Sequence, residues 1–481
     1  MPGITILGLG PGNPAHLTRE AWNLLSSAEE IWLRTRQHLT VASLPAALKL
    51  HSFDHLYENE ESFEQVYTSI VQKVLELGRR PEGVIYAVPG HPFVAEATGP
   101  EILRLARDEG LATVIINGLS FLEPAFSALE LDPYPKLTLF DALELGSAHV
   151  PAFPPEMPVL VAQVYSRLVA SEVKLTLSTV YPDEHPVRLV HGAGTADELV
   201  EELKLYEIDR SKHIGLLTCL YVPPLEEGTS FEAFQEVVAR LRAPDGCPWD
   251  REQTHESLRT HLLEETYEAL SAIDADDIAG MEEEFGDLLL QIVLHAQIAA
   301  EEGEFTANSL IKKIHDKIVR RHPHVFGDLS LGGVDGVLQN WEKLKEAERK
   351  EKKEDKGLLD GVPLALPALA QAQEYQDRAA RVGFDWPIVE GVLEKIVEEV
   401  HEIKEATDQI ELAEELGDLF FVLVNLARWK KIDAESALRA TNLKFKKRFK
   451  YIEQSAFRQN RMLADMSLEE MDTLWNEAKE G

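Results

Sequence analysis

The hydrophobic period of the chain changes abruptly at Pro223 and Pro224, and no single regular layer can serve both sides of that change. Before it, short β-branched runs (ITILGL, GVIYAV, ATVII, PVLVA, LTLSTV and IGLLTCLYV) alternate with helical stretches, the pattern of an α/β domain. From Phe231 onward nearly every segment reads at the helical period and is rich in Glu, Leu, Ala and Lys, which predicts an all-α half. A chain of 481 residues exceeds one ordinary core. We therefore expect an α/β domain over 1–225 and two helical units over 230–355 and 365–481. The units are divided by the charged run EAERKEKKEDK at 346–356, read as a solvated helix end, and by the Pro-containing GVPLALPAL at 361–369, read as a linker.

The net charge of −35 is shared by both halves, and no basic footprint marks a nucleic-acid polymer as partner. A small phosphorylated substrate is compatible with such acidity, provided that divalent cations invert the local field. The two cysteines, Cys219 and Cys247, form neither a zinc-type spacing nor a disulfide framework, which fits a reducing compartment. No window approaches the roughly 18 apolar residues of a membrane span, and Met1 to Gly12 runs from a short apolar strand straight into glycines. The expectation is a cytoplasmic protein without membrane attachment.

The helical half repeats itself in unlike residue types. LLEETYEAL (262–270) with EEFGDLL (283–289) is followed by EEVHEI (398–403) with EELGDLF (414–420). In a helix, positions i and i+3 share a face, so Glu265 projects with Glu268, Glu284 with Asp287, Glu399 with Glu402, and Glu415 with Asp418. Any one such pair reads most simply as solvated glutamates. The pairs in FGDLLLQIVLHA and LGDLFFVLVNLA, however, sit in strongly apolar helices, where a carboxylate without a partner is costly. Four carboxylates converging from two helices require a cation, and oxygen-only donors suit Mg²⁺ or Mn²⁺ bridging protein and phosphates. Each repeat continues into a basic helix, DKIVRRH (316–322) and LKFKKRF (443–449), whose Lys317, Arg320, Arg321, Lys444, Lys447 and Arg448 suit polyphosphate oxygens. Trp341 and Trp475 follow in helical contexts and suit either stacking on a base or a place in the core. The histidines of HPHVF, His322 and His324, read as a turn around Pro323 rather than a metal site.

GCPWDREQTHESLRTHLLEETYEAL (246–270), RRHPHVFGD (320–328), VGFDW (382–386) and EELGDLFFVLVNLAR resemble the two-unit MazG nucleoside triphosphate pyrophosphohydrolases over residues 230–481. The resemblance implies an all-α fold, usually dimeric, that releases nucleoside monophosphate and pyrophosphate. It implies metal ligands at Glu265, Glu268, Glu284 and Asp287, and again at Glu399, Glu402, Glu415 and Asp418. It also implies phosphate contacts at Lys317 and Arg321 or Lys444 and Arg448, base contact at Trp341 or Trp475, and Glu264 and Glu398 as a further ligand or a water-orienting group. Both units keep complete carboxylate sets, and the KFKKRF helix of the second is closer to the family's active form.

The opening ITILGLGPGNPAHLT places Gly8, Gly10 and Gly12 after a strand, with Thr18 as a helix N-cap. Its G-x-G-P-G differs from the dinucleotide fingerprint. With YAVPGHPFVAEATG (86–99) and NGLSFLEPAFSAL (117–129), residues 1–225 resemble the tetrapyrrole (corrin/porphyrin) methylases, and the whole resembles a YabN-type fusion of such a methylase with MazG. That resemblance implies two α/β subdomains holding S-adenosylmethionine through Gly8, Gly10 and Gly12, through Pro89, Gly90, His91 and Pro92, and through Gly118 and Ser120. His91 stands where many members carry an acid, a departure that bears on corrin-type activity. Two other readings stay open: a methyltransferase with a regulatory helical half, and a nucleotide sensor without turnover.

Overall fold

The computed structural model describes residues 3–60, 62–334, 336–337, 340–341, 344 and 357–480. The charged run at 346–356 lies outside the described residues. The chain divides into two compact units, Met1–Glu252 and Gln253–Gly481.

Unit 1 contains two five-stranded sheets. The first joins β1 (Ile4–Gly8), β2 (Glu30–Leu33), β3 (Lys49–Ser52), β4 (Val84–Val88) and β5 (Thr113–Ile116) in the order β3-β2-β4-β1-β5, with all pairs parallel. Buried on both faces, β1 is a near-continuous apolar run, as a central parallel strand must be. Ile4 and Ile6 enter the core shared with Val66, Ile70 and Val74 of α2 (Phe63–Gly78), while Leu7 points to the opposite core with Ala21 and Leu25 of α1 (Arg19–Ser27). Thr18 caps α1 as the sequence predicts, its Oγ1 accepting from Ala21 N–H at 3.1 Å.

The second sheet comprises β6 (Thr138–Asp141), β7 (Val159–Ala162), β8 (Pro186–His191), β9 (Leu199–Lys204) and β10 (Thr218–Val222) in the order β6-β7-β10-β8-β9. Only β6 and β7 run parallel. One strand-like run is not a strand: LTLSTV forms the end of α3 (Arg167–Leu177) and the turn after it. The helix instead presents one apolar face, Val169, Val173 and Leu177, to the core under this sheet, and LTLSTV contributes Leu177 to that face.

Unit 2 is helical, built on two hairpins. The first pairs α4 (Arg259–Asp274) with α5 (Ile278–Glu301) and leads into α6 (Ala307–Arg321). The second follows α7 (Ala368–Arg381) and pairs α8 (Val389–Glu405) with α9 (Gln409–Trp429), then α10 (Ala434–Arg458) and α11 (Leu468–Glu480). An aspartate caps the second helix of each hairpin: Asp277 accepts from Gly280 N–H at 3.1 Å, and Asp408 from Ile410 N–H at 2.8 Å. Each cap precedes the glutamate its helix offers to the repeated motif, Glu284 or Glu415, by seven residues, about two helical turns, so both carboxylates leave their helices at the same height. Arg439 of α10 ties the repeats together through a 2.6 Å ion pair to Asp274. The tetrad PHVF continues the chain as a single helical turn, Pro323–Phe326, after His322 caps the end of α6.

Candidate functional site

In each hairpin of unit 2 the paired helices bring carboxylates together. One ligand oxygen from each of Glu265, Glu268 and Glu284 lies within 4.8 Å of the other two, and the same holds for Glu399, Glu402 and Glu415. Asp287 and Asp418 stand outside these tight groups. Their charge still reaches them, Asp287 raising Glu265 and Glu284, and Asp418 raising Glu415. Desolvation is the largest cause of the upward shift at Glu265, Glu284 and Glu415, and like charge from the neighbouring acids adds to it. Glu399 is buried, and its Oε2 has no hydrogen-bond donor among the described residues. Such a set of oxygens matches the chemistry of a hard divalent cation.

One residue that the motif reading passed over sits in the second cluster. Lys395, one turn before Glu399, places Nζ 2.7 Å from Glu399 and 2.9 Å from Glu398, and these hydrogen bonds hold its ammonium well above the usual lysine range. The spacing KIVEE carried the signal, since i and i+4 share a helix face. In the first repeat the corresponding place belongs to His261, whose Nδ1 lies 3.8 Å from Glu264. Glu264 and Glu398 are thus at the rims of their clusters, more than half exposed.

The basic helices divide by role. Lys317 and Lys444 are exposed and hold no ion pair among the described residues. Arg448 lies over Trp475, its guanidinium carbon 5.5 Å from the ring centroid, and Phe445 meets the same indole at 5.2 Å. Trp475 is therefore seated between α10 and α11 with one cation already on its face. Trp341 lies 6.2 Å from the ring of His322, and Arg321 is half-buried beside that turn.

In unit 1 the predicted glycine loops converge where β1, β4 and β5 end. Gly10 and Gly90 exchange backbone hydrogen bonds of 3.2 and 2.8 Å. A Cβ on Gly8 would meet Gly118 N and Gly90 O at 2.6 Å, so the three strand ends touch backbone to backbone. Gly10, Gly12 and Gly90 adopt positive φ. Carboxyl ends of parallel strands on either side of the first strand are the usual binding crevice of such sheets. Two side chains of these loops are engaged locally: Ser120 Oγ and N–H donate to Glu123 at 2.7 and 2.8 Å, and His91 Nδ1 accepts from Phe93 N–H at 3.1 Å.

A cavity of about 560 Å³ opens beside Pro11 and Pro89, lined among others by Arg34, Asp54, Tyr57 and Gln163. Sequence reading missed these residues, which come from separate loops without a shared motif. Arg34 pairs with the buried Glu96 and donates to the Tyr57 and Tyr67 hydroxyls at 3.0 and 3.2 Å. Burial works against its charge, and Glu96 together with the Tyr57 and Tyr86 hydroxyls more than offsets it. Ala95 and Gln163, on the wall, hold left-handed φ of 51° and 64°, strain of the kind that collects at ligand sites.

A methylase-type α/β unit joined to a duplicated carboxylate hairpin is the class that fold and site define. The chain belongs to the family in which a tetrapyrrole methylase domain precedes MazG domains. Residues 3–209 match the Tetrapyrrole (Corrin/Porphyrin) Methylases, and residues 253–326 and 388–452 match the MazG nucleotide pyrophosphohydrolase domain. The uncharacterized protein YabN of Bacillus subtilis (strain 168) is 43% identical over 486 residues, covering 99% of this chain and 98% of that one. The nucleoside triphosphate pyrophosphohydrolase/pyrophosphatase MazG of Thermotoga maritima is 45% identical over 53% of this chain and 98% of its own length. The nucleoside triphosphate pyrophosphohydrolase of Escherichia coli (strain K12) is 45% identical over 50% of this chain and 94% of its own.

Proposed function

We propose that unit 2 hydrolyses nucleoside triphosphates to the monophosphate and pyrophosphate with Mg²⁺ or Mn²⁺ held by the carboxylate clusters. The observation that carries this reading is the pair of convergent triads, Glu265, Glu268 and Glu284, and Glu399, Glu402 and Glu415, on matching hairpins. Asp287 and Asp418 complete the sets. When bound, the metal would neutralise triphosphate charge and make water acidic enough to attack phosphorus.

The remaining work falls to the chain's own groups. Lys395, with Lys444 and Arg448, binds polyphosphate oxygens at the second site; Lys317 and Arg321 do so at the first. Glu398 or Glu264, at the exposed rim, accepts a hydrogen bond from the attacking water and orients it. Trp475 or Trp341 contacts the base. The second site is favoured, because Lys395 already lies on its carboxylates.

For unit 1 we propose a methyltransferase-like domain over 1–225 that takes S-adenosylmethionine on the backbone of its three glycine and proline loops. The cavity beside Pro11 and Pro89 would then admit the methyl acceptor. The helical units would span 230–355 and 365–481, and a second copy of the chain would complete a homodimer through them.

The deciding assay is pyrophosphate release from a panel of nucleoside triphosphates with and without Mg²⁺, for wild type, Glu284→Ala and Glu415→Ala. Mg²⁺-dependent release that falls at least 100-fold in Glu415→Ala and less in Glu284→Ala is the expected outcome; removal of a group acting directly on the transition state costs this order. Absence of release with every nucleotide would sink the hydrolase reading.

A further inference from the structure

The two carboxylate hairpins present the same acids in the same order, but the residue one turn before the first glutamate of each triad differs in chemistry. Lys395 on α8 stands four residues before Glu399, and His261 on α4 stands four residues before Glu265. At that spacing each shares a helix face with the glutamate that follows it. Lysine alone brings a permanent charge to the place.

The surroundings of Glu399 show what that charge does. Its side chain is only 3% exposed, and its two oxygens are treated differently. Oε1 accepts from Lys395 Nζ at 2.7 Å, while Oε2 is buried with no hydrogen-bond donor among the described residues. A buried carboxylate oxygen without a donor is costly, and Glu402 and Glu415, which converge on Glu399, offer it only acceptors when ionised. Oε2 is therefore left for a cation, and Oε1 already has one. Lys395 is held there by a second anchor, Glu398 Oε1 at 2.9 Å, so the ammonium is fixed against the cluster. Two-metal phosphoryl-transfer sites keep their ions roughly 3.5–4 Å apart as a clamp on the attacking and leaving oxygens. A glutamate with a cation at each oxygen suits such a clamp, and here one of the two cations is covalently part of the chain.

We infer that Lys395 takes the place of a second metal ion, so that the second hairpin holds a single divalent cation among Glu399, Glu402 and Glu415. The inference rests on the metal reading of this hairpin and adds its ion count. A lysine ammonium neutralises Glu399 and donates to phosphate oxygens, but it offers water no coordination place, so acidifying water is left to the one ion. Occupancy of the second hairpin by metal should then follow a single-ion binding curve.

Mn²⁺ reads the count directly, because electron paramagnetic resonance distinguishes an isolated Mn²⁺ from two exchange-coupled ions. The full chain carries Glu265→Gln/Glu284→Gln to silence the first hairpin and is freed of metal before titration. Equivalents that persist when Glu402→Gln/Glu415→Gln is added are background on an acidic chain and are subtracted. The expected result is one equivalent of Mn²⁺ at saturation, with the spectrum of an isolated ion. Lys395→Gln and Lys395→Met should each admit a second equivalent and develop the coupled spectrum, whereas Lys395→Arg keeps one isolated ion. Loss of a merely structural ion pair cannot create a coupled signal, and two unlike replacements guard against a folding failure in either. A coupled pair with Lys395 in place, or a single isolated ion in both Lys395→Gln and Lys395→Met, overturns the inference and leaves the metal reading standing. No Mn²⁺ at the second hairpin overturns both.

Discussion

Glu415 sits where two forces disagree. Desolvation and the charges of Glu402, Glu399 and Asp418 raise its carboxyl, so in metal-free protein its ionised form is disfavoured relative to the unfolded chain. A folded-state value above the unfolded one means stability that falls as pH rises from the ordinary carboxylate range through the raised value. At neutral pH the metal-free hairpin therefore carries unrelieved repulsion. Glu415→Gln should raise the melting temperature of metal-free protein and abolish most of the upward shift that Mg²⁺ gives the wild type; calorimetry with chelator and with Mg²⁺ reads both. His38 gives the opposite sign. Burial lowers its imidazole to about 4 from 6.5, so it stays neutral in the fold, and the stability it protects is present above 6.5 and lost as pH falls toward 4. Wild type should lose on the order of 2 kcal/mol more than His38→Gln between pH 7 and pH 5 in urea denaturation. The duplicated carboxylates were legible in the sequence because repetition of unlike residues is hard to produce by chance. Arg34 and Glu96 were not, since only the folded sheet brings them together across 62 residues.

At the level of elements, the first sheet was legible because a central parallel strand must be apolar throughout, and ITILG has few other uses. The second sheet was less so. β8 and β9, PVRLVH and LVEELK, alternate buried and exposed residues too weakly to stand out, and LTLSTV imitated a strand with residues that one helical face needed. The glycine loops illustrate how an element's end becomes a site. A Cβ at position 118 would meet Gly90 O at 2.4 Å and Gly8 C at 2.8 Å, both backbone atoms that cannot rotate away. Gly118→Ala must part the ends of β1, β4 and β5. We expect it to cost about 1–3 kcal/mol as an overpacking change and to reduce S-adenosylmethionine binding at least tenfold by calorimetry, with pyrophosphate release from unit 2 unchanged. Equal affinity in the variant would move the cofactor away from these loops.

At the scale of the whole molecule, unit 2 leaves apolar surface exposed among the described residues. Phe285, Leu289 and Ile292 stand exposed at i, i+4 and i+7 on α5, and Leu416, Phe420 and Leu423 repeat the stripe at the corresponding places on α9. A stripe at that spacing is the face a helix normally buries, and each begins one residue after the carboxylate of its hairpin. A second copy of the chain, joining stripe to stripe, would enclose both the apolar rows and the adjoining carboxylates. The net charge of −35 opposes such a union, because each copy repels the other at long range. Repulsion is screened by salt and apolar contact is not, so dimerisation should tighten as salt rises from low to physiological strength, and further with Mg²⁺ on the clusters. Light scattering across a salt series should show a dimer at physiological salt. Leu289→Glu/Phe420→Glu, which places four new charges on the joined surface of a dimer, should give a folded monomer whose pyrophosphate release is lost together with the dimer. A wild-type monomer at all salt concentrations, active with Mg²⁺, would mean that each hairpin works alone and that the exposed rows serve something other than self-association.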